Sequence, residues 1–179
     1  MCGSARGDGF ERMFAYLEGV ARSEYVIVET GCVRQDAWTD GRSTVLFDEF
    51  LRIRGGTLYS IDIDPARCEF ARKQVGSNTV LVNQEAVSFL YTFPSIPKVD
   101  LLYLDSYDVD WEDPHDSAVH HLKELCAVMH SLGSGSLVVV DDHVDANGRP
   151  GKSKYIVPFM QDIGAKKLFE AYQIGWILP

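Results

Sequence analysis

The chain has 179 residues, a length that suits one domain with a substantial core. Apolar residues make up 46% and charged residues 24%, which excludes disordered, collagenous and low-complexity chains. The formal charge of −9 argues against a general nucleic-acid binder, because phosphate contacts need clustered Lys and Arg.

In chain order, Phe10, Phe14, Leu17 and Ala21 share one face of a helix over 10–22, within an N-terminal helical segment 1–24. The first twenty residues carry scattered charges and no continuous apolar run, so they do not read as a signal peptide. Tyr25–Glu29 is a β-branched run of the kind that forms a buried parallel strand. A helix over Thr44–Arg54 turns Val45, Leu46, Phe50 and Leu51 inward and stops at Gly55-Gly56. Thr57–Asp62 is the second strand. Asp64 and Pro65 then supply an N-cap and a first helical residue.

Thr79–Val82 reads as strand three, Ala86–Leu90 as a short helix and Val99–Asp105 as strand four. A helix over Asp116–Leu132 aligns Ala118, Leu122, Leu125, Cys126 and Met129; Ser136–Asp141 is strand five. A helix over 153–163 stops at Gly164, and Lys167–Leu178 holds two strands turning near Gln173–Gly175. This alternation predicts a single α/β domain over 1–179, with a parallel sheet covered by helices on both faces. In such sheets ligands bind beyond the carboxyl ends of the strands. Polar residues gather there: Glu29, Asp62, Glu85, Asp105 and Asp141-Asp142-His143.

Each of these has a bland alternative. Gly31 and Gly41 are ten positions apart and do not form G-x-G-x-x-G, so this segment can be an ordinary strand–turn–helix connection. Asp62 can accept the hydroxyls of a ribose or cap the next helix. Asn83-Gln84-Glu85-Ala86 can meet an adenine edge or form a solvated loop. His120-His121 reads as a surface feature, and Gly151-Lys152-Ser153-Lys154 as a solvated helix start or a site for an anionic substrate. The four cysteines lie far apart with no Cys-x-x-Cys, which makes a reduced, cytoplasmic setting the expectation.

Together, the acidic end of strand one with its glycine loop, the acidic ends of strands two and four and the polar turn after strand three resemble the class I S-adenosylmethionine-dependent methyltransferases. The resemblance covers about Tyr25 to Leu178. It implies a Rossmann-like, doubly wound, mostly parallel seven-stranded sheet with an antiparallel C-terminal strand. It also implies S-adenosylmethionine as cofactor. Glu29, Gly31, Cys32 and Gly41 would form the first cofactor loop, with Ser43 at the methionine carboxylate. Asp62 would hold the ribose, Glu85 and Ala86 would flank the adenine, and Ile63 and Asp105 would complete the cofactor site.

Asp105, Asp141 and Asp142 end neighbouring strands, where three carboxylates would repel one another unless a hard cation joined them. That arrangement is similar to the metal-dependent small-molecule O-methyltransferases of the macrocin, cephalosporin-biosynthesis and catechol types. It implies Mg²⁺ held by these aspartates and a small-molecule acceptor. The catechol type carries a lysine base where this chain has Asp108, so Asp105, Asp108 and His143 are the candidates for proton transfer. The loop 31–42, with Trp38, is longer than usual for the family. A nicotinamide-dependent Rossmann oxidoreductase and a non-catalytic interaction module stay open as alternatives. The expected partners are a small molecule and a second copy of the chain covering the cleft, with no nucleic acid and no membrane.

Overall fold

The computed structural model describes residues 5–35, 42–95 and 97–179, without the side chains of residues 5 and 6. The elements in chain order are α1 (Ala5–Val20), β1 (Tyr25–Thr30), α2 (Ser43–Arg54), β2 (Gly56–Asp62), α3 (Pro65–Arg72), β3 (Thr79–Asn83), α4 (Ala86–Tyr91), β4 (Leu101–Leu104), α5 (His115–Val128), β5 (Leu137–Val140), α6 (Ile156–Asp162), β6 (Lys166–Glu170) and β7 (Ile174–Ile177). A single 3₁₀ turn, Met129–Ser131, extends α5.

The seven strands form one sheet in the order β3-β2-β1-β4-β5-β7-β6. Pairings among β1 to β5 are parallel, while β7 pairs antiparallel with both β5 and β6. This is the mostly parallel, doubly wound sheet expected from the alternation, with β7 running against the rest. The turn between the last two strands falls at Ala171–Gln173, earlier than the sequence suggested, because Gln173 is buried and hydrogen-bonds Tyr103.

Period-two alternation in the central strands builds two cores. Ile27, Leu101, Tyr103, Leu137 and Val139 face Phe10, Met13, Leu17, Phe47 and Leu51 of α1 and α2. Val28, Leu102, Leu104, Val138 and Val140 face Leu90, Leu125, Val128, Ile156 and Met160 of α4, α5 and α6. Burying a side chain of this size stabilises by roughly 1.5–3 kcal/mol, so continuous apolar runs are the price of a sheet covered on both faces.

Several helix bounds differ from the periodicity. The first helix begins at Ala5 and ends at Val20, where Ala21 takes a left-handed conformation. In α2 the buried positions include Thr44 and Phe47, and Val45 and Leu46 are half-buried. Cys126 is exposed, since Glu124 and Leu125 carry the buried face of α5. The residues 152–155 are turn, so α6 starts at Ile156. The strand order reverses its direction of growth between β1 and β4, which opens a cleft beyond their carboxyl ends.

Candidate functional site

Two adjoining cavities of about 340 and about 250 Å³ lie at that rim. Gly31, Asp62, Arg67 and Ser106 line both of them. The larger also carries Cys32, Ser43, Asp105, Asp108, Asp142 and Tyr172. The smaller adds Ile63, Glu85, Ala86, Tyr107 and His120. The cleft is therefore elongated, with Asp62 at its waist.

Gly31 makes the waist possible. Its φ is +84°, and a Cβ there would lie 2.5 Å from the backbone oxygen of Asp105. Its N–H donates to Ile61 O at 2.7 Å, which ties the first loop to the end of β2. Asp62 is 4% exposed and works as an anchor as well as a wall. Cys32 N–H donates to its Oδ2 at 3.2 Å and Asp64 N–H to its Oδ1 at 2.8 Å. Asp64 caps α3 by accepting from Ala66 N–H at 2.8 Å, as the sequence suggested. Burial, followed by the charges of Asp62 and Glu29, pushes the Cys32 thiol up, which leaves it protonated and inert.

Ser43 opens α2, whose first N–H groups and dipole favour an anion. Glu85 caps α4, accepting from Val87 N–H at 2.9 Å and Ser88 N–H at 2.8 Å. Its backbone and that of Ala86 thus form a fixed wall of the smaller cavity. Gly41 and Trp38 lie outside the described residues.

Glu29 is fully buried and lines neither cavity. Its Oε2 accepts from Ser60 Oγ at 2.6 Å, and its Oε1 is buried with no hydrogen-bond partner among the described residues. Burial raises its carboxyl from 4.5 to about 7, against the pull of the nearby hydroxyls of Ser43, Ser60 and Thr44. Glu29 therefore sits behind the first loop instead of on the cleft surface.

The aspartate cluster holds a group that sequence reasoning placed elsewhere. Lys152 is 1% exposed, and its Nζ donates to Asp105 Oδ1 and lies 2.8 Å from Asp142 Oδ2. Burial alone would favour the neutral amine, but Asp105, Asp142 and Asp141 hold the ammonium protonated. Asp142 also accepts from Tyr172 Oη. Burial and the neighbouring charges of Asp141 and Asp142 push the Asp105 carboxyl up, against the downward pull of Lys152.

The expected Mg²⁺ would have to bind around this lysine. The premise was three carboxylates without a cation, and the chain supplies its own. Asp141 is fully buried and lines neither cavity, and among the described residues no group of three His, Cys, Asp or Glu side chains could hold a metal ion. The reading of Lys152 as a solvated or anion-binding residue is corrected, since it is buried against two carboxylates.

His143, a candidate base, stands apart from the cleft. Its ring lines neither cavity, being held between Ser153 Oγ at Nδ1 and Glu170 Oε1, 3.2 Å from Nε2. Burial lowers its proton affinity, and Glu170 opposes that. Asp108 does reach the larger cavity, but it is exposed and paired with Arg34 at 3.0 Å.

Sequence reasoning also missed a polar network behind the smaller cavity. Glu124 is fully buried and accepts from Thr30 Oγ1 at 3.1 Å and Ser106 Oγ at 2.6 Å. His120 Nε2 lies 3.2 Å from its Oε1. That hydrogen bond raises the His120 imidazole above its ordinary value, burial opposing. His121, expected at the surface, is fully buried, and burial lowers it to about 4. The signal was present: residues 117, 118, 121, 124, 125 and 128 follow one helical face, so a Glu and a His fall on the buried stripe of α5.

No protein-family model and no curated protein matches this chain. Solved structures do match in shape. A Clostridium thermocellum chain assigned as a candidate rRNA methylase superposes with TM-score 0.66 at 11% identity, covering 100% of both chains. The O-methyltransferase NovP gives 0.64 at 14% identity, over 97% of this chain and 79% of NovP. The mycinamycin-pathway methyltransferase MycE, solved with Mg and S-adenosylhomocysteine, gives 0.62 at 11% identity, over 94% of this chain and 49% of MycE. No helix among the described residues is long and apolar enough to cross a membrane. The chain has the Rossmann-like fold of the S-adenosylmethionine-dependent methyltransferases.

Proposed function

We propose that this chain binds S-adenosylmethionine in the two-cavity cleft and transfers its methyl group to an oxygen of a small molecule. The observation that carries the reading is the cleft itself: a wall with a helix start and carboxylates at one end, a capped turn with Ile63 and Ala86 at the other, and Asp62 on both. An adenosyl amino acid has matching parts in the same order. Glu29 Oε1, buried and without a hydrogen-bond partner among the described residues, and the close approach at Gly31 fit a backbone loop shaped to lie against a ligand.

In this reading Asp62 accepts the ribose hydroxyls while its other lone pairs keep Cys32 and Asp64 in place. Ser43 and the first turn of α2 meet the methionine carboxylate. Ile63, Glu85 and Ala86 enclose the adenine beside His120 and Tyr107. Gly31 and Cys32 contribute backbone, and Glu29 supports them from behind.

The bound cofactor supplies a methyl group activated by a sulfonium. The acceptor enters over Asp105, Asp108 and Trp111, which line the larger cavity. Asp105 takes the proton of the acceptor hydroxyl, and alignment within the cleft supplies much of the rate. A small acceptor suits the −9 charge and the carboxylates of the larger cavity better than an RNA does, because a phosphate backbone would be repelled. A calorimetric titration with S-adenosylhomocysteine tests the cofactor: one-to-one binding is expected, with no heat from NADH. Binding of NADH and not of S-adenosylhomocysteine would overturn the proposal in favour of an oxidoreductase.

A further inference from the structure

We propose that Lys152 is a built-in replacement for a divalent cation, so that the strand-end aspartates of this chain bind no metal and are held in working position by the lysine. The inference rests on the methyltransferase reading and deepens it.

Hydrogen bonds across the strand ends bring the aspartates together. Asp105 N–H donates to Thr30 O at 3.0 Å, and Asp141 N–H donates to Leu104 O at 3.1 Å. A cluster of this kind must be neutralised. The ammonium of Lys152 does so by contact with both Asp105 and Asp142. A small, hard cation binds through one or two carboxylates and fills its remaining positions with water, and here the oxygens of Asp105 and Asp142 face a positive charge already in place.

The loop that delivers Lys152 is built for the purpose. Lys152 N–H donates to Asp142 O at 3.0 Å and Gly151 N–H to His143 O at 2.7 Å, so the loop returns to its starting point. Val144 and Pro150 form a bridge across it. Asp145 accepts from the backbone N–H groups of Asn147 and Arg149, each at 2.8 Å, and pairs with the Arg149 guanidinium. The absence of a side chain at Gly151 is required, because a Cβ would lie 2.1 Å from Asp142 O and 2.8 Å from the Trp111 ring. The lysine backbone is thus pinned directly beside the carboxylate that its side chain neutralises.

Lys152 lines neither cavity, so it touches no substrate and acts through its partners as a positioning residue. Tyr172 donates to Asp142 and Lys152 forms an ion pair with it, which fixes that carboxylate as part of the wall. Asp105 remains the carboxylate that meets the acceptor. As the acceptor oxygen forms its bond to the methyl carbon, the carbon–sulfur bonding pair goes to sulfur and the hydroxyl proton goes to Asp105.

The test is a titration of the full-length protein with Mn²⁺, followed by electron paramagnetic resonance, together with melting curves in Mg²⁺ and in EDTA. Wild type should show no stoichiometric Mn²⁺ site and the same melting temperature in both solutions. Lys152→Met should gain a saturable Mn²⁺ site and melt several degrees higher in Mg²⁺ than in EDTA, because its carboxylates lack their cation. One Mn²⁺ bound tightly by wild type, and lost in Asp142→Asn, would overturn the inference. If Lys152→Met does not fold, the wild-type titration decides alone. A parallel titration with S-adenosylhomocysteine separates the two levels: failure of cofactor binding counts against the methyltransferase reading, and tight metal binding counts against the role of Lys152.

Discussion

Replacing Glu29 by Gln should stabilise the ligand-free protein, and should do so only above acidic pH. Glu29 is fully buried in β1, and burial raises its carboxyl from 4.5 to about 7. Between those values the folded chain keeps a proton that the unfolded chain has released. Stability therefore falls as pH rises through this window, and the loss is complete above about 7. At 1.36 kcal/mol per unit, the penalty at alkaline pH is about 3 kcal/mol. Gln carries no charge and preserves the contact with Ser60 at similar volume. Glu29→Gln should exceed wild type by roughly 2–3 kcal/mol at about pH 8.5, with the gain shrinking towards zero near pH 4.5. Urea denaturation at both ends of that range measures the difference. An equal stability difference at both pH values would refute the reasoning, since it would show that Glu29 does not carry the buried charge.

Other outcomes follow from the same geometry. Gly31→Ala forces a Cβ to within 2.5 Å of Asp105 O at a φ of +84°, and should cost about 2 kcal/mol or more and abolish binding of S-adenosylhomocysteine. Melting curves and calorimetry check both effects. Glu124→Gln removes the partner that raises His120, so the imidazole titration followed by NMR should move down towards its ordinary value. It should also destabilise by about 1–3 kcal/mol, since three neighbours lose a charged acceptor. Because the His120 value is raised on folding, its contribution to stability is present at acidic pH and is lost as pH rises through the folded value. Lys152→Met should acquire a divalent-cation site that wild type lacks.

The sheet could be read in the chain because both of its faces are covered. Leu101–Leu104 and Leu137–Val140 are apolar at every position, and only a strand buried on two sides requires that. Asp64-Pro65 marked the start of α3 because cap and first-turn preferences are local. The acidic residues at strand ends were legible for a topological reason: parallel strands end on one rim. What was hidden depends on direction and distance in space. Lys152 lies 47 residues from Asp105 in the chain, and only the closed loop 142–152 brings its side chain under the aspartates. His143 follows two aspartates in sequence, yet its ring turns towards Ser153 and Glu170, which no local pattern specifies. Phe47 and Met13 were overlooked at fully buried positions because the helical stripes drawn from neighbouring residues were shifted by part of a turn.

The most direct test is calorimetric titration of S-adenosylhomocysteine into wild type and Asp62→Asn. Asp62 lines both cavities, and Asn keeps its size while weakening its capacity to accept the ribose hydroxyls. Wild type should bind one equivalent, and the variant should bind at least about tenfold more weakly, a loss of roughly 1.4 kcal/mol, while remaining folded. An absence of binding by wild type, or equal affinity in the two proteins, would contradict the assignment of this cleft to an adenosyl cofactor.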